Sequence, residues 1–404
     1  MECCRYAYLS SSEKHPITFY IERDELELEP ERKTIKRIID YVNEKYDIEE
    51  RRSQFDTEVI IVIKPKRLKS GDTIAIVSLS WGGLGDAKLI HKYGIAKDRL
   101  ERDFGLNVVA MPHALKGSEF VYAHPELRAK DLMDAFSDSS IKGIFCAIGG
   151  DDSVRLLPYI DYEIIRNNPK IFMGYSDTTV THFMMNKAGV VSYYGPSVMA
   201  EFGEYVQMFD YTEKSVKSLL FDDSNGYEVS SCEYWSDDHV SWSEENVNVK
   251  KKTRPEEHHY EVLSGNGSIT GELLGGCLDV FPMIIGTEVW PERDEWKNKI
   301  LLVETSEEKP GPDLITYYLR NLGAQGILNR IRGIVVGKPQ DEQFYEEYKE
   351  VYRTVLYEFN CQYLPVIYNV NIGHAVPTGI LPLGIECEIN LDQKTIRLLE
   401  SATE

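Results

Sequence analysis

From residue 64 onward, short apolar runs of strand length alternate with stretches at helical spacing, and few folds satisfy that alternation. Residues 73–78, 106–111, 141–148, 171–173 and 190–194 read as buried strands. Residues 86–103 and 126–136 read as helices, a short helix follows Ser153, and another follows Asp177. Strands that take turns with helices build a parallel, doubly wound sheet. Such sheets bind their ligands beyond the carboxyl ends of the strands. Gly149-Gly150 and Ser176 both fall at such ends, so two loops aim at one crevice.

The most informative unit of this pattern is Ile171-Phe172-Met173-Gly174-Tyr175-Ser176-Asp177-Thr178-Thr179. Three apolar residues make a strand, Gly174 punctuates it, and Asp177 with the two threonines can cap a helix that ends near Ala188-Gly189. Ser176 then lies on a sharp strand-to-helix turn. That is the logic of a nucleophile elbow, where a strained turn lifts a serine hydroxyl beside the amide N–H groups of a helix start. The usual G-x-S-x-G form has a second glycine where this chain has Thr178. The turn alone is equally well explained by a serine that caps a helix in an ordinary α/β connection.

Bulk properties narrow the classes. The 404 residues suffice for two or three domains, and 42% hydrophobic with 27% charged residues is the balance of a soluble globular protein. The net charge of −21 argues against a nucleic acid polymer as partner, because the phosphate backbone would be repelled. Seven scattered cysteines without a C-x-x-C pair argue against a disulfide framework and for a reducing, cytoplasmic setting. No apolar run approaches the ~20 residues of a membrane span. The start, Met1-Glu2-Cys3-Cys4-Arg5, is not followed by the apolar stretch of a signal peptide.

The chain divides into four parts. Residues 1–63 form an N-terminal extension with a possible strand at 17–21 and an amphipathic helix at 31–46, and carry no evident chemistry. Residues 64–225 are the alternating α/β part. Residues 226–266 are polar and dotted with aromatics, and read as a linker and substrate loop. Trp235 and Trp242 in it suit either the cover of a core edge or stacking on a ring-bearing ligand. Residues 267–404 form a second domain: Gly275-Gly276-Cys277-Leu278 opens an apolar stretch to Ile285, a strand at 299–303 runs into Glu304, and strands at 333–336 and 365–368 flank a helix at 342–359. A hairpin at 386–390 and 395–399 closes the chain.

A serine on an elbow needs a base in reach and a group that orients it. Of nine histidines, His258 and His259 lie in a charged loop, His182 on the helix of the elbow itself, and His15 in the extension. His374 follows Gly373 in a loop directly after a strand, a place open both to a surface histidine and to a base. Glu304 ends an apolar strand, where a carboxylate is costly unless paired, so a structural salt bridge and an orienting role both fit. No cluster with metal-ligand spacing stands out.

Six stretches, in order, resemble the LD-carboxypeptidases, a family of serine peptidases. They are the run from Lys66 to Val77, Ile148-Gly149-Gly150-Asp151-Asp152-Ser153, Gly174-Tyr175-Ser176-Asp177-Thr178, Gly275-Gly276-Cys277-Leu278, Leu302-Val303-Glu304-Thr305-Ser306-Glu307-Glu308, and Gly373-His374 with Leu381-Pro382-Leu383-Gly384. The resemblance begins near residue 64, and the Thr305-Ser306-Glu307-Glu308 tail, the Gly149-Gly150-Asp151-Asp152 form and the tryptophan-bearing loop look more like its microcin C immunity branch than its murein branch. It implies a flavodoxin-like parallel-sheet N-domain, a smaller β-rich α/β C-domain and a homodimer. It further implies Ser176 as nucleophile, His374 as general base and Glu304 as its orienter, with the oxyanion held by the Asp177 N–H and one from Gly149 or Gly150. No cofactor or metal is required. The expected substrate is a small peptide or peptidyl-nucleotide of the microcin C type, cleaved at its amide or acyl-phosphoramide bond; a murein tetrapeptide losing terminal D-alanine is the alternative. A non-catalytic module that captures a small anion is the competing class.

Overall fold

The computed structural model of the protein describes residues 62–404; the strand and helix expected within the first 61 residues lie outside them. Five strands, β1 (Thr73–Val77), β2 (Asn107–Ala110), β3 (Ile141–Cys146), β4 (Ile171–Gly174) and β5 (Ser192–Tyr194), form a parallel sheet in the order β2-β1-β3-β4-β5. This is the flavodoxin-like order. Both faces are covered, as a parallel sheet requires. Ala75, Val77, Ile144, Cys146 and Phe172 point into one apolar cluster, while Ile74, Ile76, Phe145, Ile171 and Met173 point into another. The alternation of adjacent residues between two cores explains why these strands read as continuous apolar runs. Each such side chain contributes about 1.5–3 kcal/mol on burial.

The remaining strands are β6 (Glu228–Val229), β7 (Tyr234–Trp235), β8 (Arg254–Pro255), β9 (Glu261–Ser264), β10 (Ser268–Cys277), β11 (Lys299–Glu304), β12 (Gly333–Gly337), β13 (Val366–Val370), β14 (Leu381–Leu383), β15 (Glu386–Asn390) and β16 (Thr395–Leu398). Eight of them form a second sheet, β6-β16-β15-β10-β11-β12-β13-β9, with β10 to β13 parallel and the flanking pairs antiparallel. The expected β-rich α/β C-domain is therefore present.

Three features depart from the sequence reading. Gly275 and Gly276 do not open an apolar stretch; they lie inside the ten-residue strand β10. Both have positive φ, and a Cβ would overlap the Leu302 carbonyl at Gly275 and the Thr179 side chain at Gly276, so only glycine lets β10 meet β11 and the elbow helix. Second, β14 leaves the C-terminal part of the chain and pairs antiparallel with β5, adding a sixth strand to the first sheet. Its Pro382 is tolerated because β14 is an edge. Third, the polar connection of residues 226–266 contributes β6 and β9, the two edges of the second sheet, and the separate ribbon β7-β8. Among the described residues no helix is long and apolar enough to cross a membrane.

Candidate active site

β4 ends at Gly174, and the helix Thr179–Ala188 begins five residues later. Between them Ser176 takes φ 63, a left-handed conformation that a non-glycine residue adopts at a cost of about 1–2 kcal/mol. Neighbours hold the turn in place. Ser176 N–H donates to the Tyr194 hydroxyl oxygen (3.2 Å), and Thr179 Oγ1 donates to the Ser176 carbonyl (2.7 Å). Thr179 Oγ1 also accepts the Cys277 N–H (2.9 Å), which ties the elbow to the end of β10. Ser153 donates from its N–H to Asp177 Oδ2 (2.8 Å) and from its hydroxyl to the Asp177 carbonyl (2.9 Å). Burial pushes the Asp177 carboxyl up from its ordinary range. Gly149 sits against the turn so closely that a Cβ would lie 2.6 Å from that of Ser176.

Glu304 ends β11 and is buried. Its Oε2 accepts from His374 Nδ1 (2.8 Å) and from the His374 backbone N–H (3.2 Å), and its Oε1 accepts from the Tyr194 hydroxyl (2.5 Å). Three donors on one carboxylate compensate for removing it from water. Two glycines make the space: at Gly373 (φ 69) a Cβ would overlap the Glu304 carboxyl, and at Gly337 it would lie 2.5 Å from the Glu304 Cβ. His374 is thus in the loop after β13, as expected from the sequence, and its Nδ1 faces Glu304.

Nε2 of His374 does not meet Ser176. It pairs with Glu307 Oε2 at 2.8 Å, and among the described residues no hydrogen bond joins His374 to the Ser176 hydroxyl. Burial disfavours the charged ring, but the charge and hydrogen bond of Glu304, together with those of Glu307, outweigh it and raise the His374 pKa to about 10. The same contact lowers the Glu307 carboxyl to about 2. The imidazole is held between two carboxylates, which favour its charged form. The Tyr175 ring stands edge-on to it, with centroids 5.0 Å apart.

Ser176, His374, Gly149 and Gly150 line one cavity of about 1010 Å³, together with Glu307 and Trp242. Asp177 lies behind this wall, its side chain buried and held by Ser153. The two tryptophans part company. Trp242 lines the cavity, with the Lys92 ammonium 5.2 Å from its ring centroid. Trp235 is buried under the Lys338 ammonium, 4.4 Å from its ring centroid, and does not line the cavity. The sequence reading found no cluster of metal-ligand type. The fold does assemble one: Cys277, Glu304 and His374 each place a ligand atom within 4.8 Å of the others, although Glu304 and His374 already bond to each other. Tyr194 and Glu307 are site residues to which the sequence reading gave no role, although Glu307 stands in one of its six family-like stretches. Tyr194 had one signal, its place at the carboxyl end of the strand beside β4.

An α/β fold with a strained serine, a buried histidine–carboxylate pair and a shared cavity defines a hydrolase-like class of site. The profiles of the LD-carboxypeptidase N-terminal domain and C-terminal domain match residues 74–195 and 270–389, and the chain belongs to that family. It is similar to the microcin C7 self-immunity protein MccF of Escherichia coli, with 30% identity over 275 residues, 68% of this chain and 78% of MccF. Among solved structures it is similar to an MccF-like protein from Streptococcus pneumoniae in complex with AMP, with TM-score 0.75, 36% identity and coverage of 81% of this chain and 98% of that one. It is also similar to MccF in complex with aspartyl sulfamoyl adenosine, with TM-score 0.73, 27% identity and coverage of 85% and 100%. The family is one of peptidases, and both complexes hold small nucleotide-like ligands.

Proposed function

We propose that the protein is a serine hydrolase that cleaves the amide or acyl-phosphoramide bond of an aminoacyl- or peptidyl-nucleotide. The observation that carries this reading is the Glu304–His374 pair, closed at 2.8 Å in the same cavity as the strained Ser176. Ser176 Oγ attacks the scissile carbonyl carbon, and His374 Nε2, released from Glu307 and neutral, takes its proton. The developing oxyanion is held by backbone N–H groups of Asp177 and of Gly149 or Gly150. Glu304 stabilises the imidazolium, which then protonates the departing nitrogen. Water, activated by the same histidine, attacks the acyl-enzyme and releases the acid, restoring the serine. Trp242 on the cavity wall supports the nucleotide part, because an aromatic ring stacks on any base.

A second reading is a murein LD-carboxypeptidase. Of the eight carboxylate side chains that line the cavity, Asp152 pairs with Arg128 and Arg155, Glu204 with Lys251 and Glu307 with His374, and the other five suit an ammonium-bearing peptide better than a free phosphate. The full-length chain offered an alanyl adenosine phosphoramidate and, separately, a murein tetrapeptide with a terminal L–D amide distinguishes them by mass of the products. Turnover of the first supports the proposal and turnover of the second alone supports the alternative. Turnover of neither, with binding of AMP retained, leaves a capture module.

A further inference from the structure

Cys277 and Glu304 end two neighbouring strands. β10 and β11 run parallel in a register that pairs Cys277 with Glu304, so the two side chains emerge on the same face. The loop after β13 brings His374 to the same end of the sheet. The thiol, the carboxylate and the imidazole each place a ligand atom within 4.8 Å of the others, and all three residues are buried. The serine chemistry above uses two of these groups and leaves the thiol without a part in it. Cys277 and His374 both line the cavity, so an ion in solution can reach them.

The surroundings hold these groups as the outer contacts of a metal site do. A metal-bound histidine gives its second ring nitrogen to a carboxylate or carbonyl, which fixes the ring and points the first nitrogen at the ion. His374 meets that description: Nε2 pairs with Glu307 Oε2 at 2.8 Å, and Nδ1 faces Glu304. Ligating carboxylates are hydrogen-bonded in their turn. Glu304 Oε1 accepts from the Tyr194 hydroxyl, which leaves Oε2 on the side of the ring. Cys277 Sγ donates to Asp279 Oδ2 (3.5 Å), a contact the thiol gives up when it turns to an ion. Zinc binds thiolate at about 2.3 Å and imidazole or carboxylate at about 2.0–2.2 Å, so ligand atoms on one ion stand roughly 3–4 Å apart, and side-chain movements of about 1 Å close the present spacing onto it. Water from the cavity completes the tetrahedron.

We propose that Cys277, Glu304 and His374 form an inhibitory site for a thiophilic divalent cation of the zinc type. A thiolate in the set selects against magnesium and calcium, which take oxygen ligands. The exchange balances. The cation brings two positive charges, and two protons leave, one from the Cys277 thiol and one from Nδ1 of the charged imidazole, so the net charge of the buried cluster is unchanged. With the ion on Nδ1 and Glu307 on Nε2, the ring has no lone pair left for the Ser176 proton. The site stands on the geometry of its three ligands, whereas the inhibition rests on the hydrolase reading above.

Two measurements on the full-length chain, first freed of metal with a chelator, test this. One is a titration with Co2+, which takes the ligands of zinc and shows a thiolate-to-cobalt charge-transfer band in the near ultraviolet. The wild type should show that band and saturate at one ion per chain, and Cys277→Ala should lack it. Glu307→Gln should keep the band with an affinity roughly 10- to 100-fold lower, as for loss of an outer-shell partner. The other is the rate at which a fluorophosphonate labels Ser176 with and without Zn2+, each protein being referred to its own rate without the ion. At free Zn2+ of about ten times its Kd, labelling of the wild type should fall roughly 10-fold. A chelator should restore it, Mg2+ should leave it unchanged, and Cys277→Ala should keep most of its rate at the same zinc concentration. A wild type without the charge-transfer band, or a band that persists in Cys277→Ala, overturns the site. A bound ion that leaves labelling unchanged or speeds it overturns the inhibition. Ser176 unlabelled in every protein without zinc overturns the hydrolase and the inhibition with it, and the cobalt titration then decides the site by itself.

Discussion

Replacing Tyr194 with phenylalanine deletes one oxygen from the centre of the site. That oxygen donates to Glu304 Oε1 at 2.5 Å and accepts the Ser176 N–H at 3.2 Å, in a side chain with no exposure. A hydrogen bond to a charged group contributes about 1.5–3 kcal/mol, and a buried N–H left without a partner costs about 1–3 kcal/mol. Phenylalanine fills nearly the same volume, so little is added by a cavity. The two contributions overlap in part because both neighbours can shift, and we expect a loss of about 3 kcal/mol. Urea unfolding followed by circular dichroism should show a lower midpoint with an unchanged slope. Turnover should fall as well, because Glu304 loses one of its three donors and the Ser176 turn loses its anchor. A Tyr194→Phe protein with wild-type midpoint and wild-type turnover would refute the hydroxyl's role as the link between the elbow and the Glu304–His374 pair.

Three further outcomes follow from the same geometry. His374 must be neutral to act as base, and Glu304 and Glu307 hold its pKa at about 10 against the effect of burial, so kcat/KM on an uncharged acyl substrate should rise with pH through the neutral range; in Glu307→Gln one of the two carboxylate partners is gone, and the rising limb of the pH profile should move to lower pH. Gly373→Ala should place a methyl group where the Glu304 carboxyl lies, at a position already in the left-handed region with φ 69; misplacing the orienting group by about 1 Å lowers turnover roughly 100-fold, and a steady-state assay that finds no change argues that Glu304 has room to spare. Trp242→Ala should lower kcat/KM for a nucleotide-bearing substrate more than for a plain peptide, by the roughly 5- to 150-fold that corresponds to ~1–3 kcal/mol of base stacking, and equal losses on both substrates would make Trp242 a packing residue.

Much of this architecture is legible in the sequence because it is local. The apolar triplet of Ile171, Phe172 and Met173 with Gly174 behind it marks the strand and turn of the elbow, and Glu304 at the end of one strand and His374 in the loop after another are placed by strands that periodicity identifies. What escapes local reading depends on contacts far apart in the chain. Tyr194 looks like one more aromatic in a buried strand until Glu304, 110 residues on, meets its hydroxyl. Gly275 and Gly276 look like a break, since glycine usually punctuates, and only the packing of Leu302 and Thr179 against them explains why a strand needs them. Leu381-Pro382-Leu383 falls in the C-terminal part of the sequence and yet completes the N-terminal sheet. Thr305-Ser306-Glu307-Glu308 stands out in the sequence only as a family-like tail, and the contact of Glu307 with His374, 67 residues on, is not legible there.

The claim on which the account rests is that Ser176 forms the acyl-enzyme. The most direct measurement is the single-turnover rate of Ser176→Ala beside the wild type, on whichever of the two substrate classes the wild type cleaves, with circular dichroism to confirm the fold. The account predicts that chemistry falls to the residual level that an oxyanion hole and binding alone provide, about 10³–10⁴ over water, while substrate affinity is retained. A Ser176→Ala protein that hydrolyses the substrate at a rate near that of the wild type would contradict it.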